Sequence, residues 1–580
     1  MKVLIIGGSA CGAKAAARLS RVAPKAKITI LERGEDISYA SCGFPFFIGG
    51  EVKNRSGLTN VGFGPKRDAD YFGNLLYTTV LTGHEALSID REKKKVKVRI
   101  LATGKTKAFS YDKLILATGA APIHPNVPGL EKSLNGVFTL SSLKDNFAID
   151  EYITSQKPQK AVIVGSGLIG IEMAEALKHR GLDVTMIDAL PLPLMSVAGE
   201  EFGLFVKKEL EKNGVRFYGS EKLIGVKSDG ERALSVVTDK RESGADFVLL
   251  SIGVAPNIGL GRDAGLAVGK KGLLAGQFLQ TNDPDIYAGG DCAESLDAVT
   301  GKSRWQPMGS TANRHGRVIA DHIAGASEER NVLSDGKFGG VEGTAIVRVF
   351  DLCLGKAGLS LSEAKEAGYE AVDVLTSNPD ILSFMPGSTQ MFIRLVADKA
   401  TRRVLGARIL GPVGQGRVDK RLDVVATATF GALTVDDLSD VDLAYAPPFS
   451  TALDPLTHAA NTLRNKIDER LTSCSPKELK KRYDDGDSNF VILDVRNAKE
   501  LETSGKLRGD IINIPLVALK ECVEREPGLL PKNKDIIIVC RAGVRAWSAY
   551  SILARAGYKR HRTIVLEGGM SAWGYETALS

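Results

Sequence analysis

The sequence lacks the features that define several broad classes of protein. Its 580 residues include only seven cysteines, which follow no regular spacing, so we predict neither a disulfide framework nor a metal site. No apolar run approaches the ~18 residues that a membrane-spanning helix needs. Residues 2–6 (KVLII) are typical of a buried strand and not of a signal peptide. These absences predict a cytoplasmic protein without a membrane span.

The chain also lacks a strong excess of charge. The net charge is +7, and the basic residues are scattered along the sequence. The basic triplet 93–95 is typical of a solvated hairpin turn, so we do not expect nucleic-acid binding. A modest positive excess suits an anionic small molecule such as a nucleotide or coenzyme A. The length predicts about three to five domains.

Two glycine-rich turns each follow a short apolar run and precede a helical pattern. In the first unit, the strand 27–31 follows the helix and ends in a carboxylate. Such a unit holds a pyrophosphate on bare backbone at a helix N-terminus, and its carboxylate accepts the ribose hydroxyls. A serine replaces the usual middle glycine, but the unit is otherwise complete. The candidate binding residues are Gly7, Ser9, Gly12 and Glu32.

The second unit carries all three glycines, Gly165, Gly167 and Gly170. Its following strand, 183–187, ends at Asp188, which favours a free ribose 2′-hydroxyl and repels a 2′-phosphate. We therefore predict NADH rather than NADPH as the electron donor. Glu172 lies one turn into the helix. It either stabilises the helix dipole or acts on the nicotinamide side.

Two later segments, 111–119 and 286–291, complete a set of four motifs in order. The set resembles the pyridine nucleotide–disulfide oxidoreductase family over about residues 1–460. In that family the first turn binds FAD and the second binds NAD(P)H. The resemblance implies that Asp291 holds the ribityl chain of the flavin. The other predicted cofactor-binding residues are Thr118 and Gly119 in the first of these segments and Gly253 outside both.

Cys42 lies in the segment 41–45 (SCGFP), and the next cysteine in sequence is Cys292. Without a local partner, Cys42 must rest as a thiol, a sulfenic acid or a mixed disulfide. The segment 38–43 resembles the redox motif of the single-cysteine branch of the family, which contains NADH oxidase, NADH peroxidase and coenzyme A-disulfide reductase. The oxidase and peroxidase members carry a histidine where this chain has Ala10. This difference favours the coenzyme A-disulfide type.

The resemblance extends to coenzyme A binding and to dimer formation. It implies a homodimer in which Tyr445 enters the partner's active site as a proton donor. Without the resemblance, the proline-flanked context of Tyr445 favours a packed loop anchor. A second tyrosine of the family is replaced by Phe384, which leaves room for another sulfur substrate. Arginine side chains on the surface are also commonly just solvated. The candidate coenzyme A-binding residues are Arg18, Arg21, Ser41, Asn313 and Arg317.

Residues 473–580 resemble a rhodanese domain. Cys540 opens the loop 540–545 (CRAGVR) between a buried strand, 536–539, and a helix, 546–556. Such a loop turns backbone N–H groups inward as an anion nest, which stabilises a thiolate or persulfide anion. Four residues separate Cys540 from Arg545, so the loop has six residues in all. Six is the loop length typical of sulfur-transfer enzymes. The other five cysteines have no comparable context.

These observations predict an α/β protein with two Rossmann-like domains, an α+β dimerisation domain and a C-terminal rhodanese domain. The domains are FAD-binding (1–115 and 250–330), NADH-binding (116–249), dimerisation (331–455), linker (456–472) and rhodanese (473–580). The linker is either a flexible tether or a helix that holds the module in place. We predict a flavoenzyme that uses NADH to reduce persulfide, polysulfide or coenzyme A disulfide through Cys42, with Cys540 handling sulfane sulfur. The alternatives are an NADH oxidase or peroxidase with an accessory rhodanese, or a flavin-based sulfur sensor.

Overall fold

The structure is a computed structural model that describes residues 1–62, 64–131, 134–325, 336–414 and 417–575. The chain divides into two compact units. The first contains Met1–Pro191 and Gly214–Val341, and the second contains Leu192–Asn213 and Glu342–Ser580. None of the helices in the described ranges is long and apolar enough to cross a membrane.

The elements up to Val341 belong to the first unit, except for α7. In chain order they are β1 (Lys2–Ile6), α1 (Ala10–Val22), β2 (Lys27–Leu31), α2 (Phe44–Ile48), α3 (Ser56–Thr59), α4 (Ala69–Leu76), β3 (Thr78–Leu81), β4 (His84–Asp90), β5 (Lys95–Ile100), β6 (Thr106–Ser110), β7 (Lys113–Leu116), β8 (Ala120–Pro122), β9 (Val137–Phe138), α5 (Leu143–Gln156), β10 (Lys160–Val164), α6 (Leu168–His179), β11 (Asp183–Ile187), α7 (Met195–Lys212), β12 (Val215–Tyr218), β13 (Leu223–Ser228), β14 (Ala233–Thr238), β15 (Glu242–Gly244), β16 (Phe247–Leu250), β17 (Val254–Pro256), α8 (Gly259–Asp263), β18 (Leu273–Leu274), β19 (Ile286–Ala288), β20 (Ala293–Leu296), β21 (Ser303–Trp305) and α9 (Gly309–Gly325).

The remaining elements all belong to the second unit. They are β22 (Ala345–Val349), β23 (Leu352–Gly358), α10 (Leu361–Ala367), β24 (Ala371–Pro379), β25 (Gln390–Asp398), β26 (Val404–Pro412), α11 (Val418–Phe430), α12 (Val435–Asp440), α13 (Pro455–Ile467), β27 (Ser473–Cys474), α14 (Pro476–Asp484), β28 (Phe490–Asp494), α15 (Ala498–Ser504), β29 (Ile511–Asn513), α16 (Leu516–Arg525), β30 (Asp535–Val539), α17 (Val544–Arg555), β31 (Thr563–Leu566) and α18 (Gly569–Ala572). Short 3₁₀ helices span Ser41–Gly43, Gly290–Cys292 and Arg560–Arg562.

The first unit contains two five-stranded parallel sheets. Their strand orders are β19-β7-β1-β2-β3 and β12-β11-β10-β16-β9. In β1, Val3 and Ile5 pack into the core on one face, while Leu4 and Ile6 pack into the core on the other. A strand buried on both faces has to be apolar throughout, which explains the uninterrupted run. Helix α1 packs along α9, and a Cβ at Gly316 would come within 2.4 Å of the Cys11 carbonyl oxygen. The glycine therefore permits the close approach of the two helices.

The second unit contains one antiparallel sheet and one parallel sheet. The antiparallel sheet has the order β22-β23-β26-β25-β24, so β24 is an edge strand. The parallel sheet has the order β27-β31-β30-β28-β29. In its central strand β30, Ile536 and Ile538 face one core and Ile537 faces the other. Successive side chains of the strand therefore point into two different cores, one on each face of the sheet, as expected for a parallel sheet that is covered on both faces.

The structure confirms the predicted α/β class and several element bounds. Strands β2 and β11 span the predicted residues. Helix α17 begins two residues earlier than predicted, because Gly543 adopts a positive φ of 100° and turns the chain directly into the helix. Residues predicted as a linker form most of α13, whose apolar face is buried among the helices and strands of the antiparallel sheet. This packing favours the alternative in which the helix holds the C-terminal module in place.

Candidate active site

The first glycine turn joins β1 to α1. Gly7 has a φ of +104°, and a Cβ there would lie 2.1 Å from the Ala117 carbonyl oxygen. A Cβ at Gly12 would lie 1.9 Å from the Gly7 carbonyl oxygen. Neither position accepts a side chain, so the turn stays a bare backbone cradle at the N-terminus of α1. Such a cradle fits the pyrophosphate of a dinucleotide.

Glu32 closes this cradle from the end of β2. Its Oε2 accepts a hydrogen bond of 2.7 Å from the Gly8 N–H, and its Oε1 accepts one of 2.7 Å from the Gly34 N–H. Ser9 occupies the N-cap of α1, where its carbonyl accepts from Ala13 at 2.9 Å. The predicted carboxylate and the predicted turn therefore meet, as a ribose-binding and pyrophosphate-binding pair requires.

Asp291 lies at the same edge of the sheet, in the 3₁₀ helix after β19. Strand β19 pairs with β7, and β7 pairs with β1, so all three carboxyl ends are neighbours. The Trp305 indole N–H donates to the Asp291 carbonyl oxygen at 2.7 Å and holds this segment in place. Burial raises the pKa of the Asp291 carboxyl above its ordinary value. The carboxyl group is therefore suited to hydrogen bonding with a bound hydroxyl group.

Thr118, Gly119 and Gly253 lie where the two sheets of the first unit are joined. The Thr118 hydroxyl donates to the Asn257 carbonyl oxygen at 2.7 Å, and the Asn257 side-chain amide donates back to the Thr118 carbonyl oxygen at 2.8 Å. Gly119 and Gly253 have φ values of +68° and +115°. Asn257 was missed by the sequence analysis. Its reciprocal pairing with a residue 139 positions away has no local signal.

The second glycine turn has the same construction as the first. A Cβ at Gly165 would lie 2.4 Å from the Ser251 carbonyl oxygen, and one at Gly170 would lie 2.1 Å from the Gly165 carbonyl oxygen. Asp188 accepts from the Ser166 N–H at 2.6 Å and from its hydroxyl at 2.5 Å. This turn fits a second dinucleotide. Gly167 is the N-cap of α6, and Glu172 lies half-buried in that helix.

Cys42 is the exposed cysteine of the chain, and the other six are buried or half-buried. It lies with Ser41 in the 3₁₀ helix that leads into α2. The rings of Tyr39 and Phe44 stack at 5.9 Å on either side of this segment in sequence. Burial raises the pKa of Cys11, Cys292 and Cys353, which disfavours their thiolates. Cys42 is accordingly the most exposed of the seven thiols, which makes it accessible to solvent and to a substrate.

Two of the predicted coenzyme A-binding arginines meet at one carboxylate. Arg18 on α1 and Arg317 on α9 lie 2.5 Å and 3.7 Å from the carboxylate oxygens of Asp321. Arg21 and Asn313 instead bind carbonyl oxygens of their own helices, Ala17 and Gly309. The packing of α1 on α9 therefore brings together Arg18 and Arg317, while the partners of Arg21 and Asn313 among the described residues lie in their own helices.

Tyr445 lies in the second unit with its side chain 49% exposed. Phe449 and Leu453 are also exposed, at 48% and 53%, and Phe384 reaches 75%. The Arg417 guanidinium lies 4.7 Å from the centroid of the Phe449 ring. A contiguous patch of exposed apolar side chains is typical of a surface that another chain covers, whereas single exposed ones are common on any protein.

Cys540 is buried at the carboxyl end of β30. The Gly543 N–H donates to the Cys540 sulfur at 3.0 Å, so one backbone N–H of the loop points at the sulfur, where several were predicted. The segment after β31 supports the loop from the side: the Met570 N–H donates to the Cys540 carbonyl oxygen at 2.9 Å, and Ser571 donates to Arg541 at 2.8 Å. A donor aimed at the sulfur stabilises its anion.

Arg545 is paired with Glu500, a partner that the sequence analysis missed. The guanidinium makes two bonds to the carboxylate, of 2.6 and 2.7 Å. Asn497 and Glu500 form a capping box at the start of α15. This box is a signal for a helix start, but nothing local links it to an arginine 45 residues away.

Replacement of Glu500 by glutamine is expected to lower stability in a pH-dependent way. The bond from Arg545 is the main cause that lowers the pKa of Glu500 from 4.5 to about 2. The ion pair therefore stabilises the fold above pH 4.5, and this contribution is lost as the pH falls through about 2. Both side chains are partly exposed, so we expect at most about 1 kcal/mol.

Thermal unfolding of the wild type and the Glu500→Gln variant between pH 8 and pH 4 tests this expectation. The Tm of the wild type minus that of the variant should be constant from pH 8 to about 5.5 and should decrease below 4.5. A Glu526→Gln variant, altered at an exposed glutamate of the same module, is the control. A difference that widens toward pH 4 would contradict the assignment.

Family models match almost the whole chain. The model described as pyridine nucleotide-disulphide oxidoreductase matches residues 1–313, and the model of its dimerisation domain matches residues 344–456. A rhodanese-like domain matches residues 475–576. The three matches follow the order of the motifs in the sequence.

Known proteins resemble the chain both in sequence and in three-dimensional structure. A relative from Pyrococcus horikoshii named NAD(P)H coenzyme A polysulfide/persulfide reductase is 34% identical and covers 80% of this chain and 98% of its own length. The coenzyme A disulfide reductase of Staphylococcus haemolyticus is 31% identical and covers 78% and 97%. A solved structure, the NAD-dependent persulfide reductase from A. fulgidus, is 36% identical with a TM-score of 0.89 and covers 99% and 100%. The likeness to the solved structure therefore includes the C-terminal module.

Proposed function

Because the chain belongs to the pyridine nucleotide–disulphide oxidoreductase family, we propose that it is an FAD-dependent enzyme that uses NADH to reduce sulfur compounds at Cys42. Its substrates are persulfides, polysulfides or coenzyme A disulfide. The observation that carries the proposal is the exposure of Cys42, which directly follows the first dinucleotide-binding unit. The names of the relatives, which refer to polysulfide, persulfide and coenzyme A disulfide, support the substrate class.

The proposed chemistry needs one thiolate and two electrons. The Cys42 thiolate attacks the outer sulfur of a persulfide R–S–SH, forms Cys42–S–SH and releases the thiolate R–S⁻. Two electrons and one proton then return Cys42 to its thiolate and release H₂S. FAD, when bound, passes these electrons from the nicotinamide to the sulfur. With a disulfide R–S–S–R, the same steps release one thiolate and one thiol.

The glycine turns divide the binding of the two dinucleotides. Gly7, Ser9, Gly12 and Glu32 would hold the pyrophosphate and ribose of FAD, and Asp291 would hold its ribityl chain. Gly165, Gly167, Gly170 and Asp188 would hold NADH. Glu172 lies in the helix that follows the second turn, where it either stabilises the helix dipole or acts near the nicotinamide.

The C-terminal module supplies a second sulfur site. The Cys540 thiolate attacks the outer sulfur of a donor such as thiosulfate, breaks the S–S bond of the donor, forms the persulfide anion Cys540–S–S⁻ and releases sulfite. The Gly543 N–H, which donates to the Cys540 sulfur at 3.0 Å, would stabilise this anion. Arg545 lies at the end of the loop, where Glu500 holds its guanidinium in place and offsets its charge. We infer that this module feeds sulfane sulfur to the reductase. The effective concentration of a persulfide on the same chain favours such a coupling.

We further propose that coenzyme A binds and that two chains form the active enzyme. Arg18 and Arg317, which the packing of α1 on α9 places beside each other, would hold coenzyme A phosphates in place of the Asp321 carboxylate. The match to a dimerisation domain supports a homodimer, and the exposed Tyr445 would enter the partner's active site. Thiol chemistry of this kind suits the reducing cytoplasm.

We retain the predicted domain limits as part of this proposal. The FAD-binding domain is 1–115 with 250–330, and the NADH-binding domain is 116–249. The dimerisation domain is 331–455, the linker is 456–472 and the rhodanese domain is 473–580. Helix α7 lies within the predicted NADH-binding range but groups with the second unit.

Steady-state NADH oxidation with a panel of acceptors tests the function directly. We expect turnover with persulfide, polysulfide or coenzyme A disulfide, and at least about tenfold slower turnover with oxygen or peroxide. Ala10 lies where the oxidase and peroxidase members carry histidine. Faster turnover with oxygen or peroxide than with every sulfur acceptor would overturn the proposal.

NADH should be a better electron donor than NADPH by at least about tenfold in kcat/KM. An unpaired 2′-phosphate beside the Asp188 carboxylate costs about 1.4 kcal/mol or more. Replacement of Asp188 by alanine should reduce the ratio of kcat/KM for NADH to that for NADPH, mainly by lowering the KM for NADPH. The matched control is Asp183→Asn at the other end of the same strand, where Asp183 pairs with Arg216. Equal efficiencies in the wild type would contradict the role of Asp188.

A further inference from the structure

Glu567 is a buried acid of the C-terminal module that the proposed chemistry leaves unused. It follows β31 directly and is only 3% exposed. Its carboxylate accepts from the Lys466 ammonium at 2.7 Å, the Ser473 hydroxyl at 2.7 Å and the Leu375 backbone N–H at 2.8 Å. An acid is almost never buried unless it is paired in this way. We call these four residues the Glu567 cluster.

Two members of the Glu567 cluster belong to the dimerisation domain and its adjoining helix. Leu375 lies in β24, the edge strand of the antiparallel sheet, and its N–H points away from β25 toward the module. An edge strand presents unpaired N–H groups that must be covered. Lys466 lies in the last turn of α13. The carboxylate of one domain therefore completes the hydrogen bonding of another.

The turn that follows Glu567 connects the cluster to the loop that carries Cys540. After Glu567, Gly568 and Gly569 have φ values of +66° and +57° and reverse the chain. The next N–H groups, of Met570 and Ser571, donate to the carbonyl oxygens of Cys540 and Arg541. A Cβ at Gly569 would lie 2.4 Å from the Cys540 carbonyl oxygen, so the turn and the loop are in direct contact.

A second set of polar contacts holds the same module. The Lys477 ammonium lies 2.6 Å from the Glu200 carboxylate on α7, and the Tyr575 hydroxyl donates to that carboxylate at 3.1 Å. The Lys477 backbone N–H donates to Glu201 at 3.3 Å, and Glu201 also pairs with Arg394 at 2.8 Å. Loss of the Glu567 carboxylate would therefore loosen one contact without releasing the module.

The Glu567 carboxyl group is ionised, which strengthens the hydrogen bonds that it accepts from the rest of the cluster. Burial raises the pKa of its carboxyl, but Lys466 and the other neighbouring donors outweigh burial and hold the pKa below its ordinary value. The group is therefore ionised at neutral pH, where a carboxylate accepts strong hydrogen bonds from several donors.

We propose that Glu567 is a positioning residue for sulfur transfer at Cys540. Its carboxylate ties the turn 568–571 to the edge of the dimerisation sheet, and the turn in turn fixes the loop that carries Cys540. The proposal rests on the proposed sulfur chemistry of the module. It implies that the dimerisation domain sets the activity of the sulfur loop as well as the assembly of the enzyme.

The test uses the full chain with Glu567→Gln, which keeps the size of the side chain but removes its charge. Sulfur transfer from thiosulfate to a small thiol should fall at least about tenfold in kcat, with a change in KM below about threefold. Hydrogen exchange should rise together in segments 372–378 and 538–545. The control is Glu526→Gln at an exposed position, which should change neither.

A double variant separates positioning from misfolding. Glu567→Gln leaves the half-buried Lys466 without its carboxylate, so adding Lys466→Met should restore thermal stability. It should not restore kcat, because the link to Leu375 and Ser473 stays weakened. A kcat that returns with stability would mean that Glu567 acts only through stability and would overturn the proposal.

Two further results have distinct meanings. Normal sulfur transfer in Glu567→Gln, or faster exchange in 372–378 without any change in 538–545, would overturn the positioning role. NADH-dependent reduction of a small persulfide depends on Cys42 and should be unchanged in this variant. If the wild type itself lacks sulfur-dependent NADH oxidation, the proposed function fails, whatever the result for Glu567.

Discussion

Replacement of Cys42 by serine is expected to reduce sulfur-dependent NADH oxidation by about a thousandfold or more, the scale seen when a catalytic nucleophile is removed. A serine hydroxyl is not ionised at neutral pH and forms no mixed disulfide or persulfide. The glycine turns and Asp291 are unchanged, so the variant should still bind FAD and should still be reduced by NADH. Acceptor-dependent NADH oxidation and the flavin absorbance of the purified variant measure the two expectations separately.

A Cys522→Ser variant is the matched control. Cys522 is half-buried on α16 and has no role in the proposed chemistry, so its replacement should leave turnover within about twofold. Turnover of persulfide or disulfide at the wild-type rate by the Cys42 variant would show that the mechanism is wrong. Loss of flavin from the Cys42 variant would instead show that the segment 41–43 helps to hold FAD.

Replacement of Cys540 by serine should have the second-largest effect, and the effect should depend on the acceptor. Sulfur transfer from thiosulfate to a small thiol should fall by about a thousandfold, because a serine at position 540 has no sulfur atom that could carry the persulfide. NADH oxidation with thiosulfate-derived or protein-bound sulfane sulfur should slow by at least about tenfold. Reduction of small, freely diffusing persulfides should change by less than about twofold, since these reach Cys42 directly.

NADH oxidation by wild type and variant with both classes of acceptor measures this selectivity. The Cys522→Ser variant again serves as control, because it removes a thiol from the same module without touching the loop. An equal loss for both acceptors, or no loss for either, would mean that the module does not feed Cys42. A selective loss would support sequential action of the two cysteines on one sulfur atom.

The parts of the site that could be predicted from the sequence are those built by neighbours in the chain. Each glycine turn lies between its own strand and helix, and Glu32 and Asp188 each end the strand that follows. The structure brings both carboxylates to the backbone N–H groups of their turns, at 2.7 Å and 2.6 Å. The loop of Cys540 likewise spans six residues between the strand before it and the helix after it, although the turn 568–571 that supports it comes from a later part of the chain.

Contacts between distant segments could not be predicted in this way. Glu500 and Arg545 are 45 residues apart, and Glu567 and Leu375 are 192 residues apart. Nothing in either local pattern distinguishes these acids from solvated ones. The shared role of Asp321 between Arg18 and Arg317 also depends on the packing of α1 against α9.

The sequence alone thus determined the class of fold, the two dinucleotide turns and the two candidate sulfur sites, because each is encoded by residues within about thirty positions of one another. Only the tertiary structure decided how the second unit is held together. The apolar face of α13 is compatible with a free helix or a packed one, and only the surfaces it meets distinguish the two. Its burial against the dimerisation sheet, with Lys466 on Glu567, makes the segment part of a core. A charge becomes a structural link only where folding removes water from around it and supplies a partner.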